Sequence, residues 1–367
     1  MPSNPFTAEP VSAAPPHASH SAAGCLCGIS RRQFLSGTAA AGAAALTAGK
    51  VSAQTKPQRI DVHHHMLPPK YVGERLAAGV TPGSTGVAQW TPQRSLEQLD
   101  KNGIQTALLS ISQPGLKFDD VEGTRSMLRY TNEYGASLVR DHKGRFGLMA
   151  TLPLADIDGS LREMEYALDT LKADGINLLT SYGNRYPGNP HFDPVFEELN
   201  RRKATVFFHP NMPACCVGIL PDVPGPTIEY QFNTARAVTN LLYTGTLTRF
   251  PDIKYIFCHS GGALIPQVGR VVRHAHESKT IASKLPNGPW AEIKKLYFDT
   301  AQASDPWNFG AARSYMPISQ LLLGSDYPFI QVSDTVDALL KFGLTDAELR
   351  AVTRDNALRL FPRLQAV

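Results

Sequence analysis

The mature part of the chain alternates between two hydrophobic periods. Short, mostly apolar runs bounded by Gly, Pro, Asn or Asp predict buried strands, and the longer stretches between them have the spacing of amphipathic helices. The predicted strands are residues 59–65, 104–111, 145–152, 175–180, 204–209, 253–259, 295–300 and 320–326. The predicted helices are residues 91–102, 121–142, 159–173, 193–203, 230–250, 262–278, 333–342 and 346–361.

Eight strands that alternate with helices predict an α/β fold, a (β/α)8 TIM barrel. The alternative is a doubly wound open sheet, which would place a Gly-rich phosphate-binding turn after the first strand. That turn is instead rich in His and Pro, at His63-His64-His65-Met66-Leu67-Pro68, and this favours the barrel. A Pro- and Gly-rich loop over residues 210–226 is long enough to cover a site.

The N-terminal residues have a different character. Residues 1–28 are rich in Pro, Ala and Ser and lack a hydrophobic period, which is typical of disorder. The parts of an export signal then follow in order: Arg31-Arg32, Phe34-Leu35, an Ala/Gly-rich stretch up to Gly49, and Val51-Ser52-Ala53. We interpret residues 1–53 as a twin-arginine signal peptide with a disordered leader, and residues 54–367 as a single barrel domain.

This interpretation implies the twin-arginine export machinery as a partner and a periplasmic or otherwise exported location. A cytoplasmic protein with a low-complexity tail is the alternative.

The charge and hydropathy of the chain argue against two further interactions, nucleic-acid binding and a permanent membrane span. The chain has 36 Lys and Arg against 32 Asp and Glu without a basic stripe, which speaks against nucleic-acid binding. No later segment is long and apolar enough to predict a permanent membrane span.

The chemistry is concentrated where the predicted strands end. His63 and His65 are two residues apart and should project from the same face of a strand, with His64 on the opposite face. Three further candidates end other strands: His209, His259 and Asp326. Because the active site of a TIM barrel lies at the carboxyl ends of its strands, these side chains should converge. Alone, each could be a core histidine or a helix cap.

Imidazole and carboxylate groups suit a zinc ion or a similar divalent ion with one open position. Three histidines and one aspartate would complete a mononuclear site. The fifth group would then be available as an acid or base, a role for which histidine has a suitable pKa. The five cysteines indicate no disulfide framework: Cys25 and Cys27 lie in the signal, Cys215 and Cys216 are adjacent, and Cys258 is expected in the core.

Five motifs carry a resemblance to a known family. They are Ile60-Asp61-x-His63-x-His65-x-x-Pro68, His209-Pro210, His259-Ser260-Gly261-Gly262-Ala263, Gly324-Ser325-Asp326-Tyr327-Pro328, and residues 229–236 followed by Thr244-Gly245-x-x-x-Arg249-Phe250-Pro251. In this order and spacing, residues 59–362 resemble the amidohydrolase superfamily. The resemblance is to its decarboxylase branch around aminocarboxymuconate-semialdehyde decarboxylase, with the γ-resorcylate and 6-methylsalicylate decarboxylases.

The resemblance implies a set of roles. Four residues would bind one divalent metal ion, Zn²⁺ or alternatively Mn²⁺: His63, His65, His209 and Asp326. His259 and Asp326 would be the catalytic acid and base. Arg270 matches an arginine that relatives offer to the substrate carboxylate of the neighbouring subunit, which implies a homodimer; the alternative is a solvated helix arginine. The fourth strand ends without a lysine, which speaks against a two-metal site.

Three functions remain open on the sequence. The first is a metal-dependent, non-oxidative decarboxylase that releases CO₂ from a hydroxy-aromatic, salicylate-like or muconate-type carboxylic acid. The second is a metal-dependent hydrolase, a lactonase or amidohydrolase, that acts on a cyclic ester or amide through metal-bound hydroxide. The third is an exported metal-binding protein, against which a fifth catalytic-type residue argues. The export signal is unusual for this branch and leaves the physiological substrate open.

Overall fold

A computed structural model describes residues 58–77, 87, 89–112 and 120–366. Its eight strands form one parallel sheet in the order of the sequence, which confirms the predicted TIM barrel. The strands are β1 Arg59–His65, β2 Ile104–Ser110, β3 Phe146–Thr151, β4 Gly175–Leu179, β5 Thr205–His209, β6 Lys254–Phe257, β7 Tyr297–Asp299 and β8 Leu321–Leu322. The predicted leader and its boundary after residue 53 lie outside the described residues.

Helices follow or connect the strands. They are α1 Pro69–Ala77, α2 Pro92–Lys101, α3 Val121–Asp141, α4 Ile157–Glu165, α5 Asp193–Arg201, α6 Glu229–Tyr243, α7 Thr246–Arg249, α8 Leu264–Glu277, α9 Lys279–Ala282, α10 Pro289–Ile293, α11 Pro306–Tyr315, α12 Val332–Lys341, α13 Asp346–Arg350 and α14 Asn356–Leu360. Within the described part of the chain, none of them has the length and apolar character needed to cross a bilayer.

The structure contains helices that were not predicted, among them α1 and α11, and the helix predicted over 159–173 ends in a π-helical turn, Tyr166–Thr170. It also differs from the predicted elements in three further places. The helix predicted over 230–250 is divided at Gly245, whose φ of 75° is left-handed and separates α6 from α7. The helix predicted over 346–361 contains a π-helical turn, Ala351–Asp355. The eighth strand, predicted over 320–326, ends at Leu322 because the following residues turn out of strand geometry toward the site, with Asp326 at a φ of 64°.

The barrel closes through hydrogen bonds that extend beyond the short β8. The Val62 N–H donates to the Leu323 carbonyl at 2.9 Å, and the Asp326 N–H donates to the His63 carbonyl at 2.8 Å. The His65 N–H donates to the Tyr327 carbonyl at 2.7 Å. The residues that leave strand geometry are therefore still tied to β1 at the end where the histidines lie.

The barrel interior is packed with apolar side chains below the histidines. A buried cluster contains Ile60, Val62, Leu108, Met149, Phe207, Ile256, Cys258 and Leu322. The C-terminal residues Ala357, Leu360, Phe361 and Leu364 belong to the same cluster, and the Thr205 hydroxyl at the start of β5 donates to the Leu360 carbonyl. The C-terminal segment thus covers the amino-terminal end of the barrel. Cys258 is a core residue, as predicted.

The turn after β6 requires glycine at position 262. Gly262 has φ 59° and ψ −134°. A Cβ at this position would lie 2.4 Å from the Gln231 carbonyl oxygen, which is backbone and accepts the Ala263 N–H. Neither the torsion angles nor the space suit a residue with a side chain.

We therefore expect Gly262→Ala to lower the free energy of unfolding by about 2 kcal/mol or more, measured by urea denaturation. The matched control is Gly269→Ala on α8, where a Cβ would meet no atom within 4 Å. Alanine is the better helix former, so the control should leave the stability unchanged or raise it by roughly 0.5–1 kcal/mol. Equal stability of the Gly262 variant and the wild type would contradict the assigned geometry.

Candidate metal centre and active site

All five strand-end candidates meet at the carboxyl ends of the barrel strands. His63 and His65 lie at the end of β1, and His209 is the last residue of β5. His259 follows β6 in a short turn, and Asp326 lies in the segment after β8. The two β1 histidines are fully buried, and the other three side chains are at most 6% exposed. Such a dry cluster of ionisable groups is a candidate active site.

Three ligand atoms already form a tight triangle. The Nε2 atoms of His63 and His65 are 2.9 Å apart. Asp326 Oδ1 lies 2.9 Å from the Nε2 of His65 and 3.2 Å from that of His63. Ligands of one tetrahedral zinc ion, each about 2.0–2.2 Å from the metal, are separated by roughly 3.3 Å. The triangle therefore fits a single divalent ion.

The fourth ligand can come from His209 or His259. The His209 ring centroid lies 4.8 Å from that of His65 and 5.2 Å from that of His63. Ligand atoms of His63, His209, His259 and Asp326 also lie within 4.8 Å of one another, so a second four-residue set with His259 in place of His65 is close enough to hold an ion. Distances alone do not separate the two sets, but the partners of each ring do.

Three histidines have their Nδ1 atoms occupied by partners behind the site. His63 Nδ1 lies 2.9 Å from Asp299 Oδ2, and His209 Nδ1 lies 2.8 Å from the Pro210 carbonyl. His65 Nδ1 is held more loosely, 3.3–3.4 Å from the hydroxyl and carbonyl oxygens of Ser110. A proton held on Nδ1 leaves the Nε2 lone pair directed into the site, which is the usual arrangement of metal-binding histidines.

His259 is different. Among the described residues, neither of its ring nitrogens has a hydrogen-bond partner, although the ring is almost completely buried. Its Nε2 lies 3.8 Å from Asp326 Oδ2, beyond hydrogen-bond distance. Burying an imidazole without hydrogen-bond partners costs free energy unless a ligand or substrate supplies those partners. Within the described residues, His259 is therefore the ring of the four whose nitrogens are not engaged, whereas the other three rings are each held by a partner of Nδ1.

The electrostatics of the cluster set His63 apart from the other three histidines. Burial lowers the pKa of His65 and of His259, and burial together with the neighbouring imidazoles places the pKa of His209 well below its usual value. Burial acts in the same direction on His63, but the carboxylates of Asp299 and Asp326 outweigh it and raise its pKa to about 10. A metal ion would displace the proton of His63.

The surroundings of the Asp326 carboxyl group favour its ionised form. Burial would raise its pKa, but the positive charge of His63 and the hydrogen bonds from His63 and His65 hold that pKa well below its usual value. Its second oxygen, Oδ2, accepts a hydrogen bond from the amide of Gln302, a residue with a left-handed φ of 51°. The two oxygens therefore have separate surroundings, one among the ligand nitrogens and one beside Gln302 and His259.

Two residues that support the site, Asp299 and Gln302, were not predicted from the sequence. Asp299 accepts hydrogen bonds from His63 Nδ1, from the His259 N–H at 2.9 Å and from the Ala301 N–H at 3.0 Å. The sequence offered a signal for Asp299, since this acidic residue is the next-to-last residue of the predicted seventh strand and follows two aromatic residues. Gln302 had no such signal, because it follows the strand in a turn.

The segment around Asp326 has little freedom. A Cβ on Gly324 would lie 2.8 Å from both the Asp299 Cγ and the His63 Cβ, so only glycine fits between them. The left-handed φ of Asp326 is uncommon for a residue with a side chain and costs on the order of 1–3 kcal/mol. Such conformations persist where the surrounding structure holds them, and they are concentrated at functional sites.

The remaining sequence candidates lie elsewhere. Arg270 is exposed on α8 and forms no ion pair within the described part of the chain. His64 is fully buried and bonds Asp61 and Ser95, not the metal-site atoms. The loop over 210–226 contains two short 3-10 turns, Ala214–Cys216 and Gly225–Thr227.

Comparison with known proteins agrees with the geometry. Residues 60–363 match the amidohydrolase family model, and residues 28–48 match the signal sequence of the twin-arginine translocation pathway. The chain is 35% identical over 326 residues to a decarboxylase (yanB) of Aspergillus niger, covering 84% of this chain and 88% of that protein. It is 33% identical over 328 residues to 6-methylsalicylic acid decarboxylase of Penicillium expansum, covering 84% and 98%.

A solved structure shows the same fold. It is a dihydroxybenzoic acid decarboxylase from Polaromonas with bound manganese and the inhibitor 2-nitroresorcinol, with a TM-score of 0.73, 20% identity, and coverage of 83% of this chain and 97% of that one. The resemblance to the decarboxylase branch and the twin-arginine signal, both predicted from the sequence, are confirmed. The chain belongs to the amidohydrolase family.

Proposed function

We propose that this protein is a metal-dependent decarboxylase that releases CO₂ from a hydroxy-aromatic carboxylic acid without an oxidant. The observation that carries the proposal is the buried His259, unpartnered within the described residues, beside three anchored histidines and the carboxyl group of Asp326. Relatives that match most of the chain are named as decarboxylases, one of them for 6-methylsalicylic acid. These names support an ortho-hydroxybenzoate as the substrate class.

One divalent ion would be held by His63, His65, His209 and Asp326. We propose zinc as the ion because the donor set is three imidazoles and one carboxylate, with manganese as the alternative. Once bound, the ion supplies positive charge that polarises an oxygen of the substrate. The hydrogen bonds to the Nδ1 atoms of His63 and His209 keep their Nε2 atoms aimed at that position.

The proton transfer is assigned to side-chain atoms of the site that are not proposed to bind the metal. In decarboxylation the bond between the ring carbon and the carboxylate breaks, its electron pair stays on the ring carbon, and that carbon takes up one proton. His259 Nε2 and Asp326 Oδ2, 3.8 Å apart, are the groups available to hold that proton at the ring. Their near-complete burial keeps bulk water away from the carbon that is to be protonated.

Two broader features belong to the same proposal. Export by the twin-arginine route, supported by the match over residues 28–48, would place the enzyme in the periplasm. The exposed guanidinium of Arg270, without an ion-pair partner within the described part of its own chain, is suited to reach the substrate carboxylate of a second subunit. The enzyme would then be a homodimer with shared sites.

The first prediction concerns the reaction. Metal-loaded protein without the signal should release CO₂ from at least one acid in a panel of ortho-hydroxybenzoates, alkylsalicylates and muconate-type acids. A chelator should abolish the release, and Zn²⁺ or Mn²⁺ should restore it. The measurement is CO₂ evolution coupled to product analysis. No CO₂ from the whole panel, with metal-dependent cleavage of lactones or amides, would replace this proposal by the hydrolase.

The second prediction separates ligand from proton donor. His209→Ala should lose the bound metal, because it removes an anchored Nε2 donor. His259→Ala should keep the metal and lower kcat by about 10²–10⁴-fold, because it removes the group that transfers the proton. Metal content by mass spectrometry and steady-state kinetics measure the two effects. Full metal occupancy in His209→Ala, or near-normal turnover in His259→Ala, would refute the corresponding role.

The third prediction concerns the shared site. The Arg270→Ala and His259→Ala proteins should each sediment as dimers in sedimentation velocity. Each should also be inactive or nearly so. Co-refolded mixtures should regain activity, because one site of each mixed dimer combines an intact His259 with the partner's Arg270. Random pairing should restore roughly a quarter of the wild-type activity. A monomeric wild type, or a mixture without any recovery, would argue for a solvated surface arginine.

A further inference from the structure

A second buried histidine system lies on the opposite side of β1 from the metal centre. His64 Nδ1 lies 3.0 Å from Asp61 Oδ2, and His64 Nε2 lies 3.0 Å from the Ser95 hydroxyl. The indole N–H of Trp90 donates to the same hydroxyl at 2.9 Å. His64, Asp61 and Ser95 are fully buried, and Trp90 is nearly so. These four residues form what we call the β1 relay.

The direction of the hydrogen bonds in the β1 relay follows from Trp90. An indole N–H can only donate, so the Ser95 oxygen accepts that bond and its own proton is available to His64 Nε2. His64 then carries its proton on Nδ1, and this N–H donates a hydrogen bond to Asp61. In this arrangement each side chain of the relay is satisfied without solvent.

The relay ends next to the metal ligand Asp326. Asp61 Oδ2 accepts the Ser325 hydroxyl at 2.6 Å, and Asp61 Oδ1 accepts the Ser325 N–H at 3.0 Å. Asp61 Oδ1 also accepts the His63 N–H at 3.1 Å, so one carboxylate joins the backbone of two ligand-bearing segments. Ser325 immediately precedes Asp326, whose left-handed φ of 64° has to be held from outside the loop.

His64 also contacts Tyr327, the residue that follows Asp326. Its ring packs on the ring of Tyr327, with centroids 5.0 Å apart. The Tyr327 N–H in turn donates to the Ser325 hydroxyl at 3.2 Å. The residues before and after Asp326 are therefore both in contact with the relay.

We propose that His64 is a positioning residue for Asp326: the β1 relay holds Ser325 and Tyr327 so that the Asp326 carboxylate faces the Nε2 atoms of His63 and His65. The inference rests on the proposed role of Asp326 as a metal ligand. The order Asp61–His64–Ser95 is that of a hydrolytic triad, but the Ser95 hydroxyl is fully enclosed, so it cannot reach a substrate. The relay acts on the site through the bonds of Asp61 to Ser325 and through the packing of His64 on Tyr327.

Two amide substitutions of His64 test the relay. In His64→Asn the side-chain amide occupies about the position of Nδ1 and can still donate to Asp61. In His64→Gln it lies nearer the position of Nε2 and reaches Ser95 instead. Loss of an outer partner of a metal ligand typically lowers metal affinity or activity by about 10–100-fold. For His64→Gln we expect a loss of this size in Mn²⁺ affinity and in kcat, with little change in KM. For His64→Asn we expect the loss to stay below about fivefold.

The readouts are Mn²⁺ titration of metal-depleted protein, followed by electron paramagnetic resonance, and steady-state kinetics with the most active acid of the panel. Thr131→Val is the stability control, because its buried hydroxyl donates only to the Leu128 carbonyl of its own helix, α3. It should lower the melting temperature without changing Mn²⁺ affinity. If His64→Gln does not fold, Ser95→Ala replaces it, with an expected loss of several-fold in Mn²⁺ affinity.

The proposal is overturned if His64→Gln binds Mn²⁺ and turns over like the wild type. It is also overturned if the Asn and Gln variants lose affinity equally and in proportion to their stability, because that is the behaviour of a packing residue. Absence of CO₂ release from every acid would overturn the proposed function but not the relay, which the Mn²⁺ titration still decides. A wild type that binds no metal would overturn both.

Discussion

The hydrogen bond between His63 Nδ1 and Asp299 Oδ2 is the interaction on which the site depends. It spans 2.9 Å between two fully buried groups and joins the first strand of the barrel to the seventh. The same carboxyl group accepts the backbone N–H of His259, so one side chain orients both a proposed metal ligand and the proposed proton donor. Removing one partner of such a buried pair would leave the other uncompensated, at a cost of about 3–5 kcal/mol.

The charge of the cluster supports the proposed metal ion. Asp299 and Asp326 are two enclosed carboxyl groups, and both raise the pKa of His63, which lies between them. Burial lowers the pKa of each of the other three imidazoles, which favours their neutral forms. A divalent ion in place of one proton brings more positive charge to the carboxylates while using lone pairs that already face the site.

Periodicity predicted the barrel and the five converging side chains because both depend on local rules. A strand of a TIM barrel ends at the catalytic face, so a polar residue at the end of an apolar run is informative by itself. β1 has the predicted bounds, and His63, His65 and His209 lie where the pattern placed them. His259 and Asp326 also reach the site, but from left-handed turns beyond their strands.

The supporting residues could not be predicted in the same way. The bond from His63 to Asp299 joins residues 236 positions apart, and that from Ser325 to Asp61 joins residues 264 apart. Only closure of the barrel brings them together, and a hydrophobic period carries no information about such pairs. The early end of β8 has the same origin, because Gly324 must pass between Asp299 and His63 before the chain can turn at Asp326.

Burial of the site is consistent with the export route that residues 28–48 support. All four proposed ligands are at most 4% exposed in the folded barrel. Binding and folding are coupled in sites of this kind, because the ligands come from segments far apart in the chain. A signal of the twin-arginine type exports proteins that have already folded, so the ion can be inserted before export. An export route for folded proteins is thus consistent with a proposed ligand set that comes together only in the folded barrel.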